Sequence, residues 1–433
     1  MRSIVPISEL KHYVDQEIEV AGWVDTLRDQ KRMQFLIARD HTGRVQAINE
    51  KRGDELERTI SALTPESVLY ATGRVVSNQK VKLNQLEIVL SGIDILSIAQ
   101  TPIPINETAA LEARLDWRYI DLRKPSNRLI FLVQTEIEAA MRAYWLEHGF
   151  IEIHSPKLVE GATESGAELF QLEYFGKTAS LAQSPQFYKQ MAMAAGFNRV
   201  FEIGPVFRAN PSFTSRHDTE FTSIDMEISW IESHEDVMAF EERWLQYALG
   251  IVAAKYGKEI KEHFGVELGV PSVPFPRVSM KEAYDILQSK GYEPPEKGDL
   301  DPGGERTLAQ HIKEKHGHEF VFVKDYPISV RPFYHMRHAG RPDTTRSFDL
   351  IWNGLEITTG AQREHRYEPL YQQAIEKGVN PDSIKHYLEF FKHGCPPHGG
   401  FGMGLTRILM NVLGLRNVRE VTFLYRGPNR LVP

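Results

Sequence analysis

The sequence predicts an α+β protein in two parts. A small all-β barrel comes first, and a larger domain built on an antiparallel sheet flanked by helices follows. Three observations predict this. The first hundred residues carry Val-, Ile- and Leu-rich runs separated by turn signals such as His41-Thr42-Gly43. Residues 101–106 (TPIPIN), with two prolines, read as a linker. Beyond them, short strands alternate with helices at long separations. A length of 433 residues suits two domains.

Strands are expected at 17–24, 33–39, 45–48, 68–76 and 86–96, with a helix at 53–63 between the third and fourth. Five strands with a helix in that position suggest an OB-fold barrel, a common oligonucleotide binder. Its 13 Lys+Arg against 14 Asp+Glu give no electrostatic signal for RNA. The second part opens with a helix at 129–146, apolar at Ile130, Val133, Ile137, Met141 and Trp145, near a 3.6-residue period. The expected domains are 1–105, a hinge or linker at 106–128, and 129–433. Within the last, 276–327 reads as a small insert with helices at 279–289 and 305–316.

Net charge of −7 argues against indiscriminate nucleic-acid binding, though local patches decide that interaction. No apolar run reaches membrane-spanning length and the N-terminus lacks a signal pattern, so no membrane contact and a cytoplasmic location are expected. The single Cys395 excludes an internal disulfide framework and a multi-cysteine zinc site.

The most informative stretch is 201–227. Two strands, 200–207 and 221–228, flank a loop carrying Arg208, Arg216 and His217, three potential cations suited to a polyanion. Arg208 is placed for an α-phosphate, Arg216 and His217 for the β- and γ-phosphates. Near the C-terminus, GGFGMGLTR places Gly402 and Gly404 before Arg407 and a helix at 408–413. Glycines let a backbone approach a ligand, and a helix N-terminus favours anions. Residues 346–359 hold Asn353-Gly354 between two strand-like runs, a strong hairpin signal. A two-residue turn sets Ile351 opposite Glu356 and Asp349 opposite Thr358, all on one face. The carboxylates of Asp349 and Glu356 are then diagonal neighbours, with backbones roughly 7–8 Å apart, able to share a hard cation. LAQSPQFYKQ puts Ser184, Gln186 and Lys189 on a strand-to-helix turn, and GAQREHR supplies Arg363. Lys189 and Arg363 suit a side-chain carboxylate, Asp225 an α-ammonium group, and Glu164 a lid in the loop 161–170.

HGFIEIHSPKL, the 201–227 hairpin and GGFGMGLTR together resemble motifs 1, 2 and 3 of the class II aminoacyl-tRNA synthetases, in order. QSPQFYKQ, ATESGAELF and GAQREHR narrow the resemblance to the aspartyl-tRNA synthetases, over essentially the full length and in their compact archaeal and eukaryotic form. The resemblance implies an aspartate–tRNA ligase that forms aspartyl-adenylate from ATP. Arg208, Arg407 and Glu356 would be catalytic. Aspartate would be held by Glu164, Ser184, Gln186, Lys189, Arg208, Asp225, Thr359 and Arg363, with His398 lining the same pocket. ATP would meet Arg208, Ala209, Asn210, Arg216, His217, Asp218, Glu356, Gly404, Leu405, Thr406 and Arg407. Asp349, Glu356 and Thr359 would bind Mg2+. Two positions depart from the family pattern: Asn210 and Thr406 stand where glutamate is usual.

By the same resemblance Asp25, Arg28, Phe35, Gln46 and Lys82 would read the anticodon, with Phe35 stacked on the central base. The implied partners are tRNA(Asp) and, in relaxed members, tRNA(Asn). Relaxed members work with an Asp-tRNA(Asn) amidotransferase. Asp25 matches neither the strict nor the relaxed pattern, and Lys82 favours strictness. A homodimer is implied by motif 1. The competing readings are an asparaginyl-tRNA synthetase, a tRNA-independent aspartate-activating paralogue and a non-catalytic RNA-binding scaffold. Against the first, a neutral amide would leave Lys189 and Arg363 uncompensated.

Overall fold

A computed structural model describes residues 2–161, 168–212 and 214–433. Glu164 lies outside them. The chain divides into two compact units, Met1–Ala109 and Ala110–Pro433.

The first unit is a closed five-stranded barrel. Its strands are Glu17–Asp29, Met33–Arg39, Arg44–Glu50, Val68–Ser77 and Leu86–Ser97, and the helix is Glu55–Ser61. Period-2 alternation sends Leu36, Ala38, Val45 and Ala47 inward, where they are fully buried. Met33, Phe35 and Ile37, by the same alternation, face outward and are only half-buried. Asp54 caps the helix by accepting from the Glu57 N–H. The buried Asn49 amide donates to Gln34, whose own amide donates to the Ser61 hydroxyl and ties the helix to the barrel.

The second unit is organised by an eight-stranded sheet. In spatial order its strands are Arg277–Ser279, Phe320–Lys324, Ser347–Trp352, Leu355–Gln362, His398–Gly404, Glu220–Ser229, Arg199–Phe207 and Ile151–Glu152. The six central strands are antiparallel and both edge strands pair in parallel. One face packs on two long helices, Pro125–Glu147 and His234–Phe264. The second helix starts in a capping box of Ser233 and Asp236 and ends at Gly265, whose positive φ of 70° closes the last turn. Ile224, Met226, Phe201, Phe401 and Met403 point into this core, where Trp145 sits edge-on to Phe201 and Trp244. The residues between them necessarily turn to the other face, which carries the polar groups of the site. Among the described residues no helix is long and apolar enough to cross a membrane.

Two expectations about organisation change. Residues 110–128 fold with the second unit instead of forming a hinge. Helices Leu111–Asp116 and Arg118–Asp121 form there, and the buried Arg118 pairs with Asp121 at 2.7 Å. The same guanidinium donates to the carbonyls of Glu420, Thr422 and Phe423, four bonds that justify its burial. Residues 276–327 are not an appendage, because Arg277–Ser279 and Phe320–Lys324 extend the main sheet. The helices Met280–Ser289 and Pro302–His316 cover that end with a small core of Leu287, Leu308, Ile312 and Val321.

Candidate active site

On the polar face of the sheet lies a cavity of about 360 Å³. Fifteen of the residues named from sequence line it: Ser184, Gln186, Arg208, Asn210, Arg216, His217, Asp218, Asp225, Glu356, Thr359, Arg363, Gly402, Gly404, Thr406 and Arg407.

The floor comes from one strand pair. Ser223, Asp225 and Glu227 share a face of Glu220–Ser229, and Asp225 and Glu227 lie opposite Gly402 and Gly400. A Cβ at Gly400 would fall 2.4 Å from a Glu227 oxygen, and one at Gly402 would fall 3.1 Å from Asp225. These glycines therefore make room for carboxylates of the floor, not for a ligand alone. Lys189, 2 % exposed, reaches in from the helix Gln186–Ala194. Its ammonium donates to Asp225 Oδ1 at 2.9 Å and to the Phe401 carbonyl at 2.8 Å, and lies 3.5 Å from Glu227. Arg363 donates through Nε to Glu227 at 3.0 Å, through Nη2 to the Gly400 carbonyl at 3.0 Å and through Nη1 to His335 Nε2 at 3.0 Å. Two buried cations thus face two buried carboxylates. Glu227 was missed from sequence, and it removes the argument that a neutral amide would leave Lys189 and Arg363 uncompensated. Its signal was present, since it alternates with Asp225 on a strand.

His335 was also missed. A guanidinium only donates, so His335 Nε2 must accept and Nδ1 must carry the proton. That Nδ1 is buried with no hydrogen-bond partner among the described residues. Burial and the neighbouring Arg363 hold the imidazole well below its ordinary pKa, keeping it neutral.

Around the Asn353-Gly354 turn the strand register differs from the expected one. Asn353 and Gly354 take positive φ of 48° and 79°, as a type I′ turn requires, and Ile351 does face Glu356. A β-bulge then intervenes, so Asp349 pairs with Thr359 and not with Thr358. The extra residue restores parity on the site side: the Thr359 hydroxyl donates to Glu356 Oε1 at 3.2 Å. Thr358 turns to the helix face beside Glu241. Asp349 accepts from Arg331 at 2.5 Å through Oδ2, while its buried Oδ1 has no hydrogen-bond partner among the described residues. Burial, reinforced by Asp349, pushes the Glu356 carboxyl up to about 7. An orphaned carboxylate oxygen, a neighbouring carboxyl of raised pKa and a hydroxyl are hard oxygen donors. They fit a magnesium ion.

Along the rim, Arg407 donates to the Glu356 carbonyl at 2.8 Å and lies 3.3 Å from its carboxylate. Arg216 donates to Glu305 at 2.9 Å and to the Gly354 carbonyl at 3.2 Å. Glu305, at the start of Pro302–His316, also accepts from the Glu356 N–H, so the supposed insert braces the rim at Arg216 and Glu356 without lining the cavity. Arg208 lies over the Phe221 ring at 5.7 Å. His217 is not a third cation by default: burial and then Arg407 lower its pKa, and its Nδ1 sits 2.6 Å from the Thr214 hydroxyl. Burial raises Asp218 to about 7. Asn210 Oδ1 already accepts from the Ser212 N–H at 2.8 Å.

Five named residues do not line the cavity. Lys189 and Asp349 lie directly behind lining residues. Leu405 is buried in the apolar core, and Ala209 donates its N–H to the Glu168 carbonyl. His398 is fully buried too, accepting from Gln190 and donating to the Pro396 carbonyl, so it supports the pocket through Gln190 and Gln186 instead of lining it.

On the barrel, Arg28 lies directly opposite Phe35, and Gln46 opposite Ile37. The three side chains therefore share the outer face, and Phe35 is not a core residue. Gln46 donates its amide to Glu87 at 3.0 Å, a partner not foreseen. Asp25 sits at a bulge between Arg39 and Arg44, 3.5 Å from each, and Lys82 is exposed.

A closed nucleic-acid-binding type of barrel and a sheet bearing opposed arginines and carboxylates define a protein of the class II synthetase kind. Comparison makes this specific. Residues 110–426 match the family of class II tRNA synthetases (D, K and N), and residues 18–96 match the OB-fold nucleic acid binding domain. The aspartate–tRNA(Asp/Asn) ligase of Aeropyrum pernix is 43% identical, covering 99% of this chain and 98% of its own length. The aspartate–tRNA(Asp) ligase of Pyrococcus abyssi is 43% identical over 96% of each chain. The asparaginyl-tRNA synthetase of Pyrococcus horikoshii, solved with asparaginyl-adenylate, superposes with a TM-score of 0.93 at 33% identity, covering 100% of each chain. The aspartyl-tRNA synthetase of Entamoeba histolytica gives 0.88 at 31%, covering 100% of this chain and 93% of its own. The chain belongs to the class II tRNA synthetases of the D, K and N group, a family of ligases that generally use Mg2+ with ATP.

Proposed function

We propose that this chain is an aspartate–tRNA ligase: it activates L-aspartate with ATP and transfers it to tRNA(Asp). The observation that carries the reading is the convergence of Ser184, Gln186, Asp225 and Arg363 with the arginine rim on one cavity, in a chain 43% identical to aspartate–tRNA ligases over nearly its whole length.

Asp225 receives the α-ammonium group, and Ser184 and Gln186 orient it. The aspartate side-chain carboxylate lies toward Arg363, which spends four hydrogen bonds on Glu227, His335 and Gly400. A guanidinium has five N–H groups, so one on Nη1 remains for substrate. Arg208 bridges the α-carboxylate and the α-phosphate and holds them in line. Arg216, His217 and Arg407 take the leaving pyrophosphate, stabilising charge as it develops. Asp349, Glu356 and Thr359 would hold magnesium, which neutralises the ATP phosphates when bound. The terminal ribose hydroxyl of tRNA then attacks the mixed anhydride and AMP leaves.

The first unit supplies the anticodon reader. Phe35 stacks on the central base, and Gln46, its amide N–H engaged by Glu87, presents its carbonyl oxygen to the base edge. Relatives named for both tRNA(Asp/Asn) and tRNA(Asp) occur at the same identity, so tRNA(Asn) and a partner amidotransferase belong to the test. Edge strand Ile151–Glu152, with exposed Leu146, Ile151 and Phe197 near it, supports a homodimer through that edge. The setting is the cytoplasmic translation machinery.

ATP–pyrophosphate exchange tests the activation step. Exchange driven by aspartate and not by asparagine is expected. Exchange driven by asparagine would transfer the reading to an asparaginyl enzyme.

A further inference from the structure

Outside the cavity, three side chains from three segments converge. His234 opens the helix His234–Phe264, Asp325 follows the strand Phe320–Lys324, and His338 ends the short strand Arg337–His338. One ligand-type atom from each lies within 4.8 Å of the others. His338 Nε2 is 2.8 Å from Asp325 Oδ1, and His234 Nε2 is 3.7 Å from the same oxygen. We propose that His234, Asp325 and His338 form a structural site for a divalent transition metal of the zinc class.

The strongest sign is His234. It is 4 % exposed, yet neither ring nitrogen has a hydrogen-bond partner among the described residues. A buried imidazole with nothing to bond is costly, and a metal is the partner that a second imidazole and a carboxylate provide for. Zinc takes nitrogen at about 2.0–2.1 Å and oxygen at about 2.0–2.2 Å in a tetrahedron, which sets its ligands a little over 3 Å apart. The observed separations bracket that spacing. Two imidazoles select a borderline transition metal over magnesium or calcium, and three protein ligands leave the fourth position to water. Arg341 binds Asp325 Oδ2 at 3.0 Å, which orients Oδ1 toward the histidines in the manner of an outer-shell partner. The other nearby cation, Lys324, is held by Glu235 at 2.5 Å. Asp325 and His338 are only half-buried and give the ion a way in. The ion would pin the chain immediately after Arg331, Tyr334 and His335 to the sheet and the long helix. The inference is independent of which amino acid the enzyme activates.

The test is metal retention by the full-length protein, in excess Mg2+ to occupy the carboxylates of the cavity. After dialysis against zinc, wild type is expected to retain about one equivalent per chain. With Co2+ it is expected to show the visible absorption band of a four-coordinate site. His338→Ala and His234→Ala should each lose the band and lower metal affinity at least about tenfold, in line with loss of a ligand. His338 is half-buried, so its variant keeps the test open if His234→Ala fails to fold. Absence of bound metal in wild type, or an unchanged band in folded His338→Ala, would overturn the proposal.

Discussion

At the floor of the cavity every charge is buried and matched. Lys189 faces Asp225, and Arg363 faces Glu227, with side-chain exposures of 4 % or less throughout. At the rim the arrangement is looser. Arg208 is exposed, Arg407 leans on Glu356, and Arg216 reaches across to Glu305 on a different segment. The floor is therefore part of the folded core as well as of the site, and its charges are set before any ligand arrives. The rim can be altered with little effect on the fold. That difference predicts which substitutions damage stability together with activity, and which damage activity alone.

Lys189→Met should have the largest effect. It leaves Asp225 buried without its cation, while Glu227 keeps Arg363, a loss of about 3–5 kcal/mol, read as a lower denaturant midpoint with no pyrophosphate exchange. Adding Asp225→Asn should recover part of the stability and none of the activity. A single variant of wild-type stability would break the contrast. Arg208→Ala should lower the exchange rate about 10²–10³-fold while changing stability by less than about 0.5 kcal/mol. A comparable loss of stability would show that the rim is as structural as the floor.

The barrel offers a third kind of surface, an outward-facing one. Phe35→Ala should weaken tRNA charging by about 1–3 kcal/mol, seen in KM for tRNA, and leave pyrophosphate exchange unchanged. Two carboxyls of raised pKa give pH signatures. Glu356 is pushed up to about 7, and a metal ligand must be ionised, so the Mg2+ needed for half-maximal exchange should rise as pH falls below about 7. Glu241, fully buried beside Thr358, is pushed up to about 8 by burial. The folded state then keeps a proton that the unfolded chain releases above its ordinary value of 4.5. Stability should fall as pH rises from about 4.5 to about 8, and Glu241→Gln should flatten that fall. The smallest effect is expected at Asn210. Its carbonyl oxygen is already committed to Ser212, so Asn210→Glu should lower KM for ATP a few-fold, and an unchanged KM would remove any role for this position in adenine binding.

Much of this was legible in the sequence. The barrel strands, the arginine hairpin and the Asn353-Gly354 turn depend on local period and turn chemistry, which a sequence states directly. What escaped depends on tertiary partners. The bulge that moves Thr359 beside Glu356 has no local signature. Glu227 was recognisable as a strand residue, but its pairing with Arg363 is 136 positions away in sequence. Glu305 lay hidden because residues 276–327 looked like an insert, when their strands complete the sheet. Arg118 belonged to a stretch too short in periodicity to read as folded, and long-range carbonyls near the C-terminus hold it. His217 looked like a cation until burial and three arginines surrounded it.

Aminoacylation of tRNA(Asp) and tRNA(Asn) transcripts in parallel, with radiolabelled aspartate and asparagine, tests the central claim most directly. Aspartate should appear on tRNA(Asp), and asparagine on neither; aspartate on both transcripts would add a relaxed anticodon site and an amidotransferase partner. Charging with asparagine, or aspartate-dependent exchange with no charging of either tRNA, would contradict it.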